Sequence, residues 1–107
     1  EPVEGFSANK GEQRRSAAQK RAELAPLRKE IQSAEKKIER LKAELEKVEM
    51  KLADPDLYSG EPDQAIRLGK DKARFEDEIA EIEEFWLEKS AALEEAEAMQ
   101  MADVDDR

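Results

Sequence analysis

The residues of this sequence that could do chemistry are mostly carboxylates, which occur in close groups such as Glu76 with Asp77 and Glu78, or Glu83 with Glu84. Carboxylates act as general acids and bases where a pocket shifts their pKa values. The sequence contains no histidine and no cysteine, which excludes imidazole bases, thiolate nucleophiles and the usual zinc sites. Because the paired helices derived below offer no such pocket, we interpret the carboxylates as a solvated helix face.

Two further motifs fail on their spacing. The stretch GEPDQAIRLGKD looks like a phosphate-binding loop, but too many residues separate Gly60 from Gly69, and neither serine nor threonine follows Lys70. A calcium loop of the Asp-x-Asp-x-Asp-Gly type does not occur. We therefore expect no catalytic residue, no bound cofactor and no metal in this chain, and we do not expect it to be an enzyme.

One segment of this acidic sequence is basic. The whole chain has a formal net charge of −9, whereas residues 10–29 contain seven basic and two acidic side chains, a net charge of +5. Such a cluster can neutralise phosphates of DNA or RNA. The alternative is a solvated helix surface that pairs with acidic residues elsewhere in the chain. The candidate nucleic-acid contacts in this basic segment (residues 10–29) are Arg14, Arg15, Lys20, Arg21, Arg28 and Lys29.

A heptad pattern governs the first half of the chain, because apolar residues recur there at alternating steps of three and four. A helix with this pattern must bury one narrow stripe against another helix. Pro26 falls within the pattern, and a proline costs about 3 kcal/mol in a helix interior. We therefore expect Pro26 in the first turn of the long helix, or at a kink after a short leading helix. The first seam consists of Leu24, Leu27, Ile31, Ala34, Ile38, Leu41, Leu45, Val48 and Leu52.

A second seam follows a loop at residues 54–61. Pro55 stops the first helix near Ala53, and the Ser59-Gly60 dipeptide favours a turn. A short loop between two similar seams predicts an all-α fold, a two-helix antiparallel coiled-coil hairpin. The second seam consists of Ala65, Leu68, Lys72, Phe75, Ile79, Ile82, Trp86, Lys89, Leu93 and Ala96. Tyr58 either staples the tip of this hairpin or faces a partner.

The register of the hairpin follows from side-chain size. We expect residues whose numbers add up to about 120 to face each other, which sets Ala34 opposite Trp86, so that a small residue meets the largest one. A slip that places Trp86 opposite Ile31 is the main alternative. In either register Trp86 is a core residue rather than a platform for nucleic-acid bases. Net charges of +2 over residues 27–52 and −7 over residues 63–98 favour the pairing.

The domain organisation is simple. We predict a flexible linker or disordered segment at residues 1–11, a hairpin at residues 12–98 and a frayed, disordered acidic tail at residues 99–107, with helices at about 26–53 and 62–98. The chain begins with Glu-Pro rather than Met, so we interpret it as a fragment of a longer protein. No apolar run approaches the roughly 18 residues that a membrane span needs, and no signal-peptide pattern opens the chain.

The hairpin sequence resembles the C-terminal coiled-coil domain of ABC-F family ATPases, including the Uup-like branch of these ATP-binding cassette proteins. The resemblance covers roughly residues 12–97. Its most specific parts are the hairpin signature LADPDLY (Leu52 to Tyr58) and the spacing of Trp86, Leu87, Leu93 and Glu94 in the second helix.

The resemblance implies a domain appended to two tandem ATP-binding cassettes of a cytoplasmic bacterial protein that acts on the ribosome and translation. It also implies an association with DNA binding. ATP and magnesium are implied for the parent protein, and its catalytic residues lie outside these residues. We therefore expect a non-catalytic arm, monomeric in isolation and without a membrane partner, that contacts ribosomal RNA or DNA through its basic end. The alternative is a structural or protein-interaction coiled coil that packs on the cassettes or on another protein.

Overall fold

The computed structural model describes the backbone of residues 2–105 and the side chains of residues 17–102. Within this part of the chain the elements are α1 (Pro2–Ala53), a short 3-10 helix (Pro55–Ser59) and α2 (Pro62–Asp105), with no strand. The two long helices pair in an antiparallel hairpin, which confirms the predicted all-α fold class. Lys, Glu, Gln, Leu and Ala fill both helices, and all are strong helix formers.

Helix α1 begins earlier than expected. It starts at Pro2, so the predicted helix start near Pro26 is wrong, and Pro26 lies inside the helix. The proline is exposed, and water can therefore reach the carbonyl of Ala22, which loses its intrahelical donor. From residue 2 onward, the expected linker at residues 1–11 falls on backbone assigned to α1. The side chains of this segment lie outside the described part, so the division of the chain at residue 11 stays a prediction.

Helix α2 also exceeds its predicted length. It begins at Pro62 as expected but continues to Asp105, beyond the predicted end near Ala98. Neither proline nor glycine occurs between Met99 and Asp105, so no residue interrupts the helix there. Of the predicted tail, the last two residues lie outside the described part of the chain.

The loop between the helices is fastened by its own hydrogen bonds. The backbone N–H of Asp56 donates to Asp54 Oδ1 at 3.0 Å, which caps the short 3-10 helix. Tyr58 Oη donates to the carbonyl of Leu52 at 2.6 Å, and Ser59 Oγ donates to the carbonyl of Asp56 at 2.8 Å. Tyr58 therefore fastens the tip to the end of α1 while most of its side chain stays exposed, at 62%.

The chain divides into two compact units, a hairpin unit and a terminal unit. The hairpin unit spans Gln32–Glu88. Its most deeply buried residues are Ala34, with 3% of its surface exposed, followed by Ile79 and Val48. Every other seam residue of this unit is half-buried: Ile38, Leu41, Leu45, Leu52, Ala65, Leu68, Lys72, Phe75, Ile82 and Trp86.

The terminal unit comprises the chain up to Ile31 together with the chain from Lys89 onward. Leu24 is its buried seam residue. The remaining seam residues of this unit, Leu27, Ile31, Lys89, Leu93 and Ala96, are half-buried. An ion pair explains how a lysine fits into the seam, since Lys89 Nζ lies 3.3 Å from Glu30 Oε2.

Ion pairs between the helices fit the expected register in each unit. When the residue numbers of facing seam residues add up to about 120, the residue numbers of facing e positions, which flank the seam of an antiparallel pair, add up to about 125. In the hairpin unit Lys42 Nζ lies 4.0 Å from Glu83 Oε2, and these residues satisfy that rule. In the terminal unit Arg28 Nη2 lies 3.5 Å from Glu97 Oε2, and that pair satisfies it as well.

Candidate nucleic-acid interface

The basic segment lies on α1, and its six candidate residues differ in availability. Arg21 and Lys29 are exposed, and no carboxylate lies within ion-pair distance of either among the described residues. Lys20 is half-buried and interacts within the molecule. Arg14 and Arg15 belong to α1, but their side chains lie outside the described residues. The segment therefore offers Arg21 and Lys29 as the described cations that are open to a phosphate.

Arg28 is placed differently from its neighbour Lys29. Its guanidinium forms the ion pair with Glu97, and the two side chains are 40% and 48% exposed. Arg28 occupies an e position, which faces the other helix, whereas Lys29 is one residue further around the helix and points outward. A phosphate would have to compete with the carboxylate of Glu97 for Arg28, so Arg28 is the weaker candidate of the two.

The middle of helix α2 repels nucleic acid. Between Glu76 and Glu88 it carries acidic residues and no basic residue. Of these carboxylates, Glu83 is paired with Lys42, and most of the others are exposed. Their negative potential repels a phosphate backbone. The stretch from Glu76 to Glu88 is therefore a poor surface for nucleic acid.

The hairpin tip carries an open groove of about 480 Å³. Lys51 and Arg67 line it, and among the described residues neither forms an ion pair. The groove also contains the carboxylates of Asp54, Asp56 and Asp71, so its charges are mixed and do not favour a polyanion. Leu57, Gln64 and Leu68 complete the lining.

The described residues form neither a metal-binding group nor an aromatic platform for stacking on nucleic-acid bases. Within residues 17–102 no group of three acidic side chains is arranged to hold a metal ion. Trp86 is half-buried in the seam, and its Nε1 is buried without a hydrogen-bond partner among the described residues. A side chain in this position is not presented to a nucleic-acid base.

Sequence reasoning overlooked a second periodic pattern. Ile66, Ala73, Ala80 and Leu87 recur at every seventh residue of α2, and all four are exposed. The signal was present in the sequence as a heptad outside the main seam. Alanine is common on solvated helix faces, so the two alanines between Ile66 and Leu87 concealed it.

The fold and its surface together define a helical hairpin domain with one basic and one acidic helix surface. A family model described as the ABC transporter C-terminal domain matches residues 25–91, which is more than half of the chain. The chain belongs to this family, the C-terminal domains of ABC-type ATPases. Comparisons with curated proteins and with solved structures found no significant match. Among the described residues, no helix is both long and apolar enough to cross a membrane.

Proposed function

We propose that this domain is a non-catalytic C-terminal arm of an ABC-F type ATP-binding protein, and that it contacts ribosomal RNA or DNA through its basic segment. In this proposal ATP and magnesium act at the cassettes of the parent protein in the cytoplasm, and the domain carries their motion to a nucleic-acid partner. Family membership supports the connection to ABC-type ATPases. The hairpin signature from Leu52 to Tyr58 supports the ABC-F assignment.

The observation that carries the proposal is the separation of charge between the two helices. Residues 10–29 carry a net charge of +5 in a chain of net charge −9. Arg21 and Lys29 are exposed on this segment and are not engaged by carboxylates of the described chain. These cations are suited to bind an external polyanion, because no described carboxylate of this acidic protein pairs with them. Contacts between such cations and phosphates release condensed counterions, which favours binding.

The test is binding of the chain to labelled ribosomal RNA, branched DNA and duplex DNA, measured by fluorescence anisotropy at low and at near-physiological salt. The charge-reversed variant combines Arg14→Glu, Arg15→Glu, Arg21→Glu and Lys29→Glu. We expect it to lose affinity for every ligand by at least about tenfold, since each change removes a phosphate contact. Comparison of the three ligands identifies which nucleic acid the segment prefers.

A matched control reverses as many cations elsewhere on α1: Lys36, Lys37, Arg40 and Lys51, all of them exposed. The control changes the net charge by the same amount, and we expect it to retain much more of the affinity than the first variant. Equal losses in both variants would show that only net charge matters, and the basic segment would have no special role. Absence of binding at low salt would reject the proposal and favour the structural alternative, an arm that packs on the cassettes or on another protein.

A further inference from the structure

An ion pair links the basic segment to helix α2 within the terminal unit. Arg28 Nη2 lies 3.5 Å from Glu97 Oε2, which is longer than the roughly 2.7–2.9 Å of a strong charge-assisted hydrogen bond. Both side chains are partly exposed, so water reaches the two charges. An exposed ion pair of this length is weak. Arg28 can therefore exchange the carboxylate of Glu97 for another anion.

Arg28 lies on the same side of α1 as Arg21. Seven residues complete nearly two turns of a helix, so the two Cα atoms lie about 10.5 Å apart along the axis and point in similar directions. Arg21 and Lys29 are exposed, and neither pairs with a carboxylate among the described residues. Release of Arg28 from Glu97 would therefore add a third open cation to the described part of the basic segment.

A nucleic-acid phosphate has the chemistry to replace Glu97 at this arginine. A guanidinium group binds carboxylate and phosphate oxygens with the same fork of N–H donors. A phosphate that is neutralised by Arg28 also releases condensed counterions, whereas the carboxylate of Glu97 releases none. A nucleic acid that is already held at Arg21 and Lys29 presents its next phosphates to Arg28 at a high effective concentration. These three effects favour the exchange.

We propose that Glu97 is an internal competitor for the phosphate that Arg28 binds in the complex with nucleic acid. In the free chain the carboxylate of Glu97 occupies Arg28, and a bound nucleic acid displaces it and gains a further phosphate contact. The inference rests on the proposed function and adds to it one contact residue and the carboxylate that restrains this residue. Because displacement of an exposed ion pair costs little, the restraint lowers the affinity by only about 1.4- to 5-fold.

A neighbouring carboxylate on α2 provides a matched control for Glu97. Glu95 is exposed, lies in the same unit and has no ion-pair partner among the described residues. Its replacement by glutamine removes the same charge as the replacement of Glu97 but releases no cation. The difference between Glu97→Gln and Glu95→Gln therefore measures the release of Arg28 beyond the general loss of negative charge.

The test is a double-mutant cycle on binding to labelled duplex DNA and to labelled ribosomal RNA. Fluorescence anisotropy gives the affinities at low salt, where charges are screened least, and far-UV circular dichroism checks that each variant keeps its helices. The four chains are the wild type, Glu97→Gln, Arg28→Ala and the variant with both changes. We expect Glu97→Gln to raise the affinity. Arg28→Ala should then lower the affinity of the Glu97→Gln chain by a factor about 1.4 to 5 times larger than in the wild type.

The same cycle with Glu95→Gln in place of Glu97→Gln should show no such coupling to Arg28. Nucleic-acid binding in which Glu97→Gln has the same or a smaller effect with Arg28 than without it would overturn the inference and leave the proposed function standing. Equal gains in affinity from Glu97→Gln and Glu95→Gln would overturn it as well, since Glu97 would then act only through its charge. Absence of binding by every chain at low salt would reject the proposed function, and the inference that rests on it would fall too.

Discussion

Replacing Ala34 by leucine tests the packing of the hairpin unit. Ala34 has 3% of its surface exposed, the lowest value of the buried residues in this unit. The register inferred from the ion pair between Lys42 and Glu83 sets it opposite Trp86. Leucine adds three carbons to a layer that already contains the largest side chain of the seam. Such overpacking costs about 1–3 kcal/mol, because neighbouring side chains leave their preferred rotamers or the helices separate.

The assay is thermal unfolding followed by far-UV circular dichroism at one protein concentration. For a domain of this size each kcal/mol lowers the Tm by about 4–8 °C. The matched control is Ala43→Leu, which places the same side chain at an exposed position of the same helix. Because leucine and alanine are both strong helix formers, we expect the control to change stability by no more than about 0.5 kcal/mol. Equal melting temperatures of Ala34→Leu and the wild type would refute the register.

Three further predictions concern single positions. Tyr58→Phe removes the hydrogen bond to the carbonyl of Leu52, 2.6 Å long, and should lower the free energy of unfolding by about 0.5–1.5 kcal/mol in urea titrations; an unchanged midpoint contradicts the tip staple. Gly69→Ala should stabilise by about 0.5–1 kcal/mol, since an added Cβ meets nothing within 4 Å; destabilisation in the same titrations would show a contact at that face. Pro26→Ala restores a helix hydrogen bond to the carbonyl of Ala22 at an exposed site. Hydrogen exchange of the amides around Ala22 should therefore slow by up to about 100-fold, which corresponds to about 3 kcal/mol of local stability. Unchanged exchange there would mean that the helix does not open at the proline.

The part of the fold that was predictable from sequence follows from strong local patterns. An unbroken heptad identifies the buried stripe of α1, and the prolines at positions 55 and 62 bound the loop. The loop that was predicted to begin at Asp54 contains a short 3-10 helix. These features depend on residues close in sequence, and hydrophobic spacing and backbone restrictions are sufficient to infer them.

The helix ends were less predictable, because they depend on the summed helix propensities of many residues, each of which contributes little free energy. The local cost of Pro26 suggested a helix start there, but the helix formers on either side of the proline favour one continuous helix. Likewise, no breaker follows Ala98, and α2 continues to Asp105. A single unfavourable residue is therefore a weak boundary signal within a long helical sequence.

The candidate interface could be predicted as a charged segment but not residue by residue. Composition alone identifies residues 10–29 as basic. Which cations remain open depends on the register, since that determines that Glu97 lies within reach of Arg28 and that Lys29 has no such partner among the described residues. The second heptad of α2, which runs from Ile66 to Leu87, was missed for a related reason: alanine occupies its two middle positions, and the exposure of its residues follows only from the pairing of the main seam with α1.

The most direct test of nucleic-acid contact by the basic segment is the salt dependence of binding. The logarithm of the binding constant falls with the logarithm of salt concentration by about 0.7 per phosphate contact for single strands and about 0.9 for duplexes. If Arg21 and Lys29 each contact a phosphate, the double variant Arg21→Ala and Lys29→Ala should reduce the slope by about 1.4–1.8 while the helices stay intact. A slope that is the same for the wild type and the double variant would contradict the account.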